Sequence, residues 1–187
     1  MTIRRITTLL ASLACAAALL SACESTPQVR STTDPTSNLS SYRTYGFVAQ
    51  PGTNRGGMST PVTSYFETAI SRELESRGFR KADANPDLLV NFNTNVREQA
   101  DIRSSPSASF GYYGYRGGLY AGGNDVQTVR YKVGTANIDL ADAAKRKLVW
   151  EGVAEGELTD DMMKSPQAAI DKVVAQMFMQ FSGRAAP

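Results

Sequence analysis

The chain has 187 residues, with 20 basic and 18 acidic side chains and no histidine. So even a balance offers no basic field for nucleic acid. The missing histidine removes the commonest metal ligand, the usual general base and the partner of Ser–His or Cys–His nucleophiles.

Met1-Thr2-Ile3-Arg4-Arg5 opens the chain, an apolar run follows from Ile6 to Leu20, and Leu20-Ser21-Ala22-Cys23 ends it. A basic start, a short apolar stretch and small residues at the cut describe a secretory signal peptide over residues 1–22. The run is shorter than the roughly 20 apolar residues a spanning helix needs. Leu20-Ser21-Ala22-Cys23 also resembles the lipobox of bacterial lipoproteins. That resemblance implies cleavage before Cys23, lipid on its thiol and acylation of the new amino group, with palmitate-type chains. An ordinary signal peptide with a chance cysteine is the alternative. One acyl chain anchors only marginally, at roughly 0.8 kcal/mol per buried methylene, so several chains on Cys23 make the attachment lasting. Glu24 follows, where enteric lipoproteins kept at the inner membrane carry aspartate, so the expected location is the outer membrane, facing the periplasm.

Removing residues 1–22 from 187 leaves 165, one domain's length. Arg4 and Arg5 leave with the signal, so 20 basic residues become 18 against 18 acidic ones. Cys15 also leaves and Cys23 carries lipid, so the body holds no thiol and stands on its hydrophobic core. With neither Cys nor His, zinc lacks its ordinary ligands. No metal and no cofactor is expected.

Residues 23–38 are the lipidated cysteine and a Ser/Thr/Pro-rich segment that reads as a flexible tether. The globular body is expected over 39–183. Residues 41–48 alternate, with Tyr45 and Phe47 on one face, and predict the first strand. Thr60 offers an N-cap, Pro61 a first helical residue, and Val62, Phe66, Ala69, Ile70 and Leu74 an apolar stripe that Gly78 closes. Residues 88–96 predict a second strand, parallel to the first across that helix. Residues 101–125 then turn to Ser, Gly and Tyr and read as a loop. Strand alternation resumes over 126–140, with a parity switch at Gly134 that predicts a bulge. Residues 148–158 predict the fourth strand, led by Leu148 and Trp150 and continued by small Gly152, Ala154 and Gly156. A last helix, capped by Ser165 and started by Pro166, carries Ile170, Val173, Val174, Met177, Phe178 and Phe181 before Gly183 ends it. Burying six such side chains gives on the order of 10 kcal/mol of gross stabilisation, an upper bound. The stripe therefore predicts core, packed over the small residues of the fourth strand, with a partner-binding face as the alternative.

The order β-α-β-β-β-α predicts an α+β two-layer sandwich: a mixed four-stranded sheet with both helices on one face. Ser41-Tyr42-Arg43-Thr44-Tyr45, then Asp87-Leu88-Leu89-Val90-Asn91-Phe92, then Ile138-Asp139-Leu140-Ala141-Asp142 and Lys147-Leu148-Val149-Trp150-Glu151-Gly152 resemble the DUF4136 family of bacterial lipoproteins over residues 39–182. The resemblance implies fold and compartment and no activity.

For function, the sequence favours a non-enzymatic envelope accessory. It would be held by membrane lipid through Cys23, and Tyr112, Tyr113, Tyr115 and Tyr120 would offer an envelope protein a recognition surface. A variable insertion without ligand is the plainer reading of those tyrosines. A subunit of an envelope assembly or secretion complex is one alternative function, on fold analogy. A cell-wall hydrolase using two carboxylates is another, drawn from Asp139, Asp142, Glu151, Glu155 and Glu157. Against it, Glu151, Glu155 and Glu157 share one strand parity and read as a solvated face, while Asp139 and Asp142 flank a turn. The glycines at 111–118 lack a phosphate-loop pattern. The sequence leaves oligomeric state and partner open.

Overall fold

A computed structural model describes residues 26–106 and 124–185. The strands are β1 (Gln28–Thr33), β2 (Thr44–Phe47), β3 (Arg80–Lys81), β4 (Leu88–Pro106), β5 (Asn124–Asp142) and β6 (Lys147–Glu157), and the helices are α1 (Pro61–Glu75), α2 (Asp160–Lys164) and α3 (Pro166–Phe178). They form one mixed sheet in the order β1-β6-β5-β4-β2-β3. β2 is parallel to β3 and β4, whereas β4, β5, β6 and β1 pair antiparallel in turn.

The fold is α+β as expected, but the sheet has six strands rather than four. One added strand, β1, lies in the stretch read as tether. Its sequence carries a single large apolar residue, Val29, which faces Ala154 and packs partly buried against the core. An edge strand needs no more than that, because its backbone ladder with β6 supplies the rest of its attachment. Asp34 extends the seam: its amide donates to the Val149 carbonyl at 3.0 Å, and its carboxylate meets Lys147 Nζ at 2.6 Å. The other added strand, β3, is two exposed residues beside β2, too short to leave a periodic pattern.

α1 starts where its cap chemistry places it. Thr60 Oγ1 accepts from the Thr63 amide at 3.2 Å, Thr63 Oγ1 accepts from the Thr60 amide at 3.4 Å, and Pro61 follows. At the far end Gly78 takes φ +89°. That left-handed turn lets the Phe79 amide donate back to the Leu74 carbonyl at 3.1 Å and puts Phe79 into the core. α3 departs from expectation at both ends. Ser165 makes no side-chain cap bond, and the helix stops at Phe178, ahead of Phe181 and Gly183. The turn after it folds Phe181 back onto Trp150, ring centroids 5.1 Å apart, with Phe178 at 5.3 Å from the same indole.

α1 and α3 pack on each other and cover one face of the sheet, over Leu88, Val90, Phe92, Ile138, Leu140 and Trp150, all fully buried. The expected bulge at Gly134 is absent: β5 keeps one register with β4 throughout and with β6 from Val133 to Leu140. The irregularity falls between Leu140 and Ala141, where Val149 is the extra residue of β6. It rotates the strand, so that Val149 and Trp150 are both buried and Leu148, expected beside Trp150, is exposed. Val133 lies on the face away from the helices, and the parity change in the sequence marks this change of face.

The greatest surprise is the length of β4 and β5. Each runs 19 residues, absorbing 101–106 and 124–125 from the expected loop. β6 ends opposite Val133, and past Arg97 and Val133 the two strands continue paired only with each other to Pro106 and Asn124. The nine β4 residues beyond Arg97 make a ribbon about 30 Å long.

Candidate functional site

Cys23, Tyr112, Tyr113, Tyr115 and Tyr120 lie outside the described residues. What the structure supplies is their attachment. The 107–123 segment follows Pro106 and precedes Asn124 at the far ends of the ribbon, and the first strand begins at Gln28, five residues after Cys23. The ribbon is exposed, Ile102 at 74% and Val96 at its base at 55%. Tyr131 Oη donates to Gln99 Oε1 across it at 3.0 Å.

The carboxylates considered from sequence separate into three situations. Asp142 is structural. It is 4% exposed, accepts from Tyr42 Oη at 2.9 Å and from the Lys145 amide at 2.8 Å, and meets Lys145 Nζ at 3.0 Å. Those donors, the Lys145 amide foremost, hold its pKa down at about 2. Glu155 pairs with Arg97 at 3.3 Å on the open face of the sheet, and Glu157 is exposed at the end of β6. Asp139 and Glu151 stand directly opposite each other on β5 and β6, on that same open face rather than at a turn. Burial first, and then the neighbouring Glu151 charge, push the Asp139 carboxyl above the usual carboxylate range; the Asn91 amide, donating at 3.4 Å, works against them. The structure thus brings one pair of the five candidates face to face and ties Asp142 to Tyr42 and Lys145. Among the described residues no group of three or more His, Cys, Asp or Glu side chains is placed to hold a metal ion.

Sequence reasoning missed an apolar groove on the helix side. Gly152, Ala154 and Gly156 were expected to lie under the last helix. At Gly152 the space belongs to the strand's own Trp150, since a Cβ there would lie 2.5 Å from the indole ring. Farther along, Ala154 and Gly156 join Gly134 and Ala136 as the floor of a cleft of about 700 Å³. Val62 and Phe66 of α1 form one wall, Ile170 and Val173 of α3 the other, and Leu158, Met162 and Met163 the end near α2. Gln176, also lining the cleft, has its side-chain oxygen buried without a hydrogen-bond partner among the described residues. Pro27 closes one corner: it sits on Gly156, where an added Cβ would come within 3.0 Å of it. The signal in the sequence was the run of small residues: the expected tight contact is present at Gly152 and Gly156, made by Trp150 and Pro27 rather than by the last helix, and the space opens at Ala154.

An α+β sheet with one helical face, one open face and a protruding ribbon is the class this architecture defines. The chain belongs to the family described as Domain of unknown function (DUF4136), whose model matches residues 29–181. That match begins inside β1, in agreement with β1 being part of the domain. No curated protein matches the chain in sequence. A PDZ domain protein from Parabacteroides distasonis shares the fold, with a TM-score of 0.56 and 17% identity over 91% of this chain, which spans 40% of that protein. The PelC dodecamer from Paraburkholderia phytofirmans aligns with a TM-score of 0.47 and 12% identity over 85% of this chain and 99% of that one. A minor lipoprotein from Acinetobacter baumannii aligns with a TM-score of 0.38 and 13% identity over 75% of this chain and 93% of that one. Among the described residues no helix is long and apolar enough to cross a membrane.

Proposed function

We propose that this protein is a non-enzymatic lipoprotein of the cell envelope, anchored in the outer membrane by acylated Cys23 and facing the periplasm, and that its ribbon engages an envelope protein. The observation that carries the binding half is the ribbon itself. Two strands leave the core for about 30 Å and bear the Tyr-rich 107–123 segment at their far ends. Nothing about folding the core requires that extension. It is a means of reaching, and aromatic rings among glycines and serines suit recognition. The anchor half rests on the Leu20-Ser21-Ala22-Cys23 sequence and on a domain that begins close behind it.

Each half has its test. Cys23→Ala should leave uncleaved precursor, and normal processing of that variant overturns the anchor. For the ribbon, affinity purification from formaldehyde-treated cells should recover a discrete partner with the intact chain and lose it when 107–123 is replaced by a two-residue turn. Equal recovery by both chains overturns that assignment.

One observation favours a second reading. Asp139 and Glu151 are carboxylates facing each other across two strands, and burial and the Glu151 charge raise the Asp139 pKa, which is raw material for acid–base hydrolysis. Cleavage of peptidoglycan by the purified protein, lost with Asp139→Asn, would replace the non-enzymatic assignment with a hydrolase. A defined oligomer in detergent would instead favour the assembly-subunit form of the accessory role.

A further inference from the structure

The apolar groove is a feature for which neither the anchor nor the ribbon accounts. Its lining is mostly apolar, with Glu157, Asp161, Lys172 and Gln176 also part of it, and its volume is about 700 Å³. That is within the range of sites for small apolar ligands. Its floor is kept low by Ala136 and Ala154, while Gly134 and Gly156 make room for Leu158 and Pro27, which an added Cβ would meet at 2.8 and 3.0 Å. Both long helices border it with their first two turns, Val62 and Phe66 on one side and Ile170 and Val173 on the other.

The occupant follows from where the chain enters. Pro27 lines the groove and is seated on Gly156 of its floor, so the N-terminal end of the domain arrives at the lip of the cleft. Cys23 is four residues before Pro27, and four extended residues span at most about 14 Å. A hydrocarbon chain attached at Cys23 is thus tethered beside an apolar cavity at high effective concentration. We infer that this groove takes one of the acyl chains carried by Cys23 of the same molecule, the remaining chains staying in the membrane. The inference rests on the acylation of Cys23 proposed above. It adds a consequence: with one chain withdrawn into the groove, the body is held against the bilayer at the β1 edge, and the grip on the membrane depends on whether the groove is filled.

The test uses the full lipidated chain in its own membrane. A photoreactive benzoylphenylalanine replaces Met163, which lines the groove and is 46% exposed. A second chain carries it at Met179, which is 75% exposed and outside the groove. After irradiation and proteolysis, mass spectrometry should find the Met163 probe joined to the acylated N-terminal peptide of the same chain. That adduct should be at least tenfold weaker from the Met179 probe, and at least tenfold weaker from Met163 when Ala154→Leu raises the floor. An adduct with free phospholipid, with another protein or with nothing overturns the inference, as does an adduct that Ala154→Leu leaves undiminished. The mass of the N-terminal peptide reports acylation independently. An unacylated Cys23 therefore refutes the anchor itself, whereas an acylated one without the adduct refutes only the groove's occupancy.

Discussion

The inner and outer halves of the β4–β5 hairpin are one continuous ladder with opposite surroundings. From Leu88 to Phe92 the residues facing the helices are fully buried, opposite Ile138 and Leu140. Past Arg97 the same two strands continue, among the described residues, paired only with each other. Backbone hydrogen bonds are the same kind in both halves, so they do not decide where the hairpin is stable; burial does. A domain can thus extend two strands well past its core and use the exposed part for something other than folding.

Substitutions should separate the halves by size of effect. Trp150→Ala removes a fully buried ring that touches Phe178 and Phe181, and should cost about 3–5 kcal/mol in urea unfolding. Loss of the Thr60 cap in Thr60→Ala should cost about 1 kcal/mol. Ile102→Ala, on the ribbon, should fall within about 0.5 kcal/mol of the parent. A loss from Ile102→Ala comparable to that from Trp150→Ala would mean the ribbon is part of the cooperative core.

Protons sharpen the contrast between two carboxylates of β5, the buried Asp142 and the half-buried Asp139. Asp142 is depressed to about 2, so its contribution is complete above the unfolded carboxylate range near pH 4 and drains as pH falls toward 2. Asp142→Asn should lower the melting temperature at pH 7 and flatten its fall over that window. Asp139 is shifted the other way. The folded state holds its proton more tightly than the unfolded chain does, so stability is lost as pH rises through its folded pKa. Asp139→Asn should therefore raise the melting temperature slightly at pH 7 and leave it unchanged at pH 3. Destabilisation at pH 7 would show that the carboxylate makes a favourable contact there.

The elements that were legible in the sequence are those with long apolar periods. α1 showed its cap, its stripe and its closing Gly78, and α3 showed its stripe. The inner positions of β4 and β5 alternated clearly. What escaped was held by backbone rather than by side chains. β1 has one apolar residue because an edge strand buries only one face's worth of a few positions, and β3 is too short to alternate at all. The ribbon escaped because exposed residues such as Glu98, Gln99 and Asp101 have no reason to be apolar, and the polar sequence of 101–106 read as loop. The Gly134 parity change was a real signal assigned to the wrong cause: Val133 belongs to the open face, and the bulge sits at Val149, where burial of two consecutive residues, Val149 and Trp150, was its sequence mark. Of the candidate site, the Asp139–Glu151 pair was legible only as a list of carboxylates, because their facing depends on cross-strand register. The groove was invisible because small residues mark contact and space alike.

In the proposed function a helix-covered body holds out a ribbon to meet another envelope protein. Photo-crosslinking in intact cells from a probe replacing Tyr115, beside a control probe at Leu148 on the body surface, tests it most directly. A single discrete protein adduct from Tyr115, missing from Leu148, is the expected result. A correctly anchored protein that yields no adduct at Tyr115, or the same adducts from both positions, would contradict it.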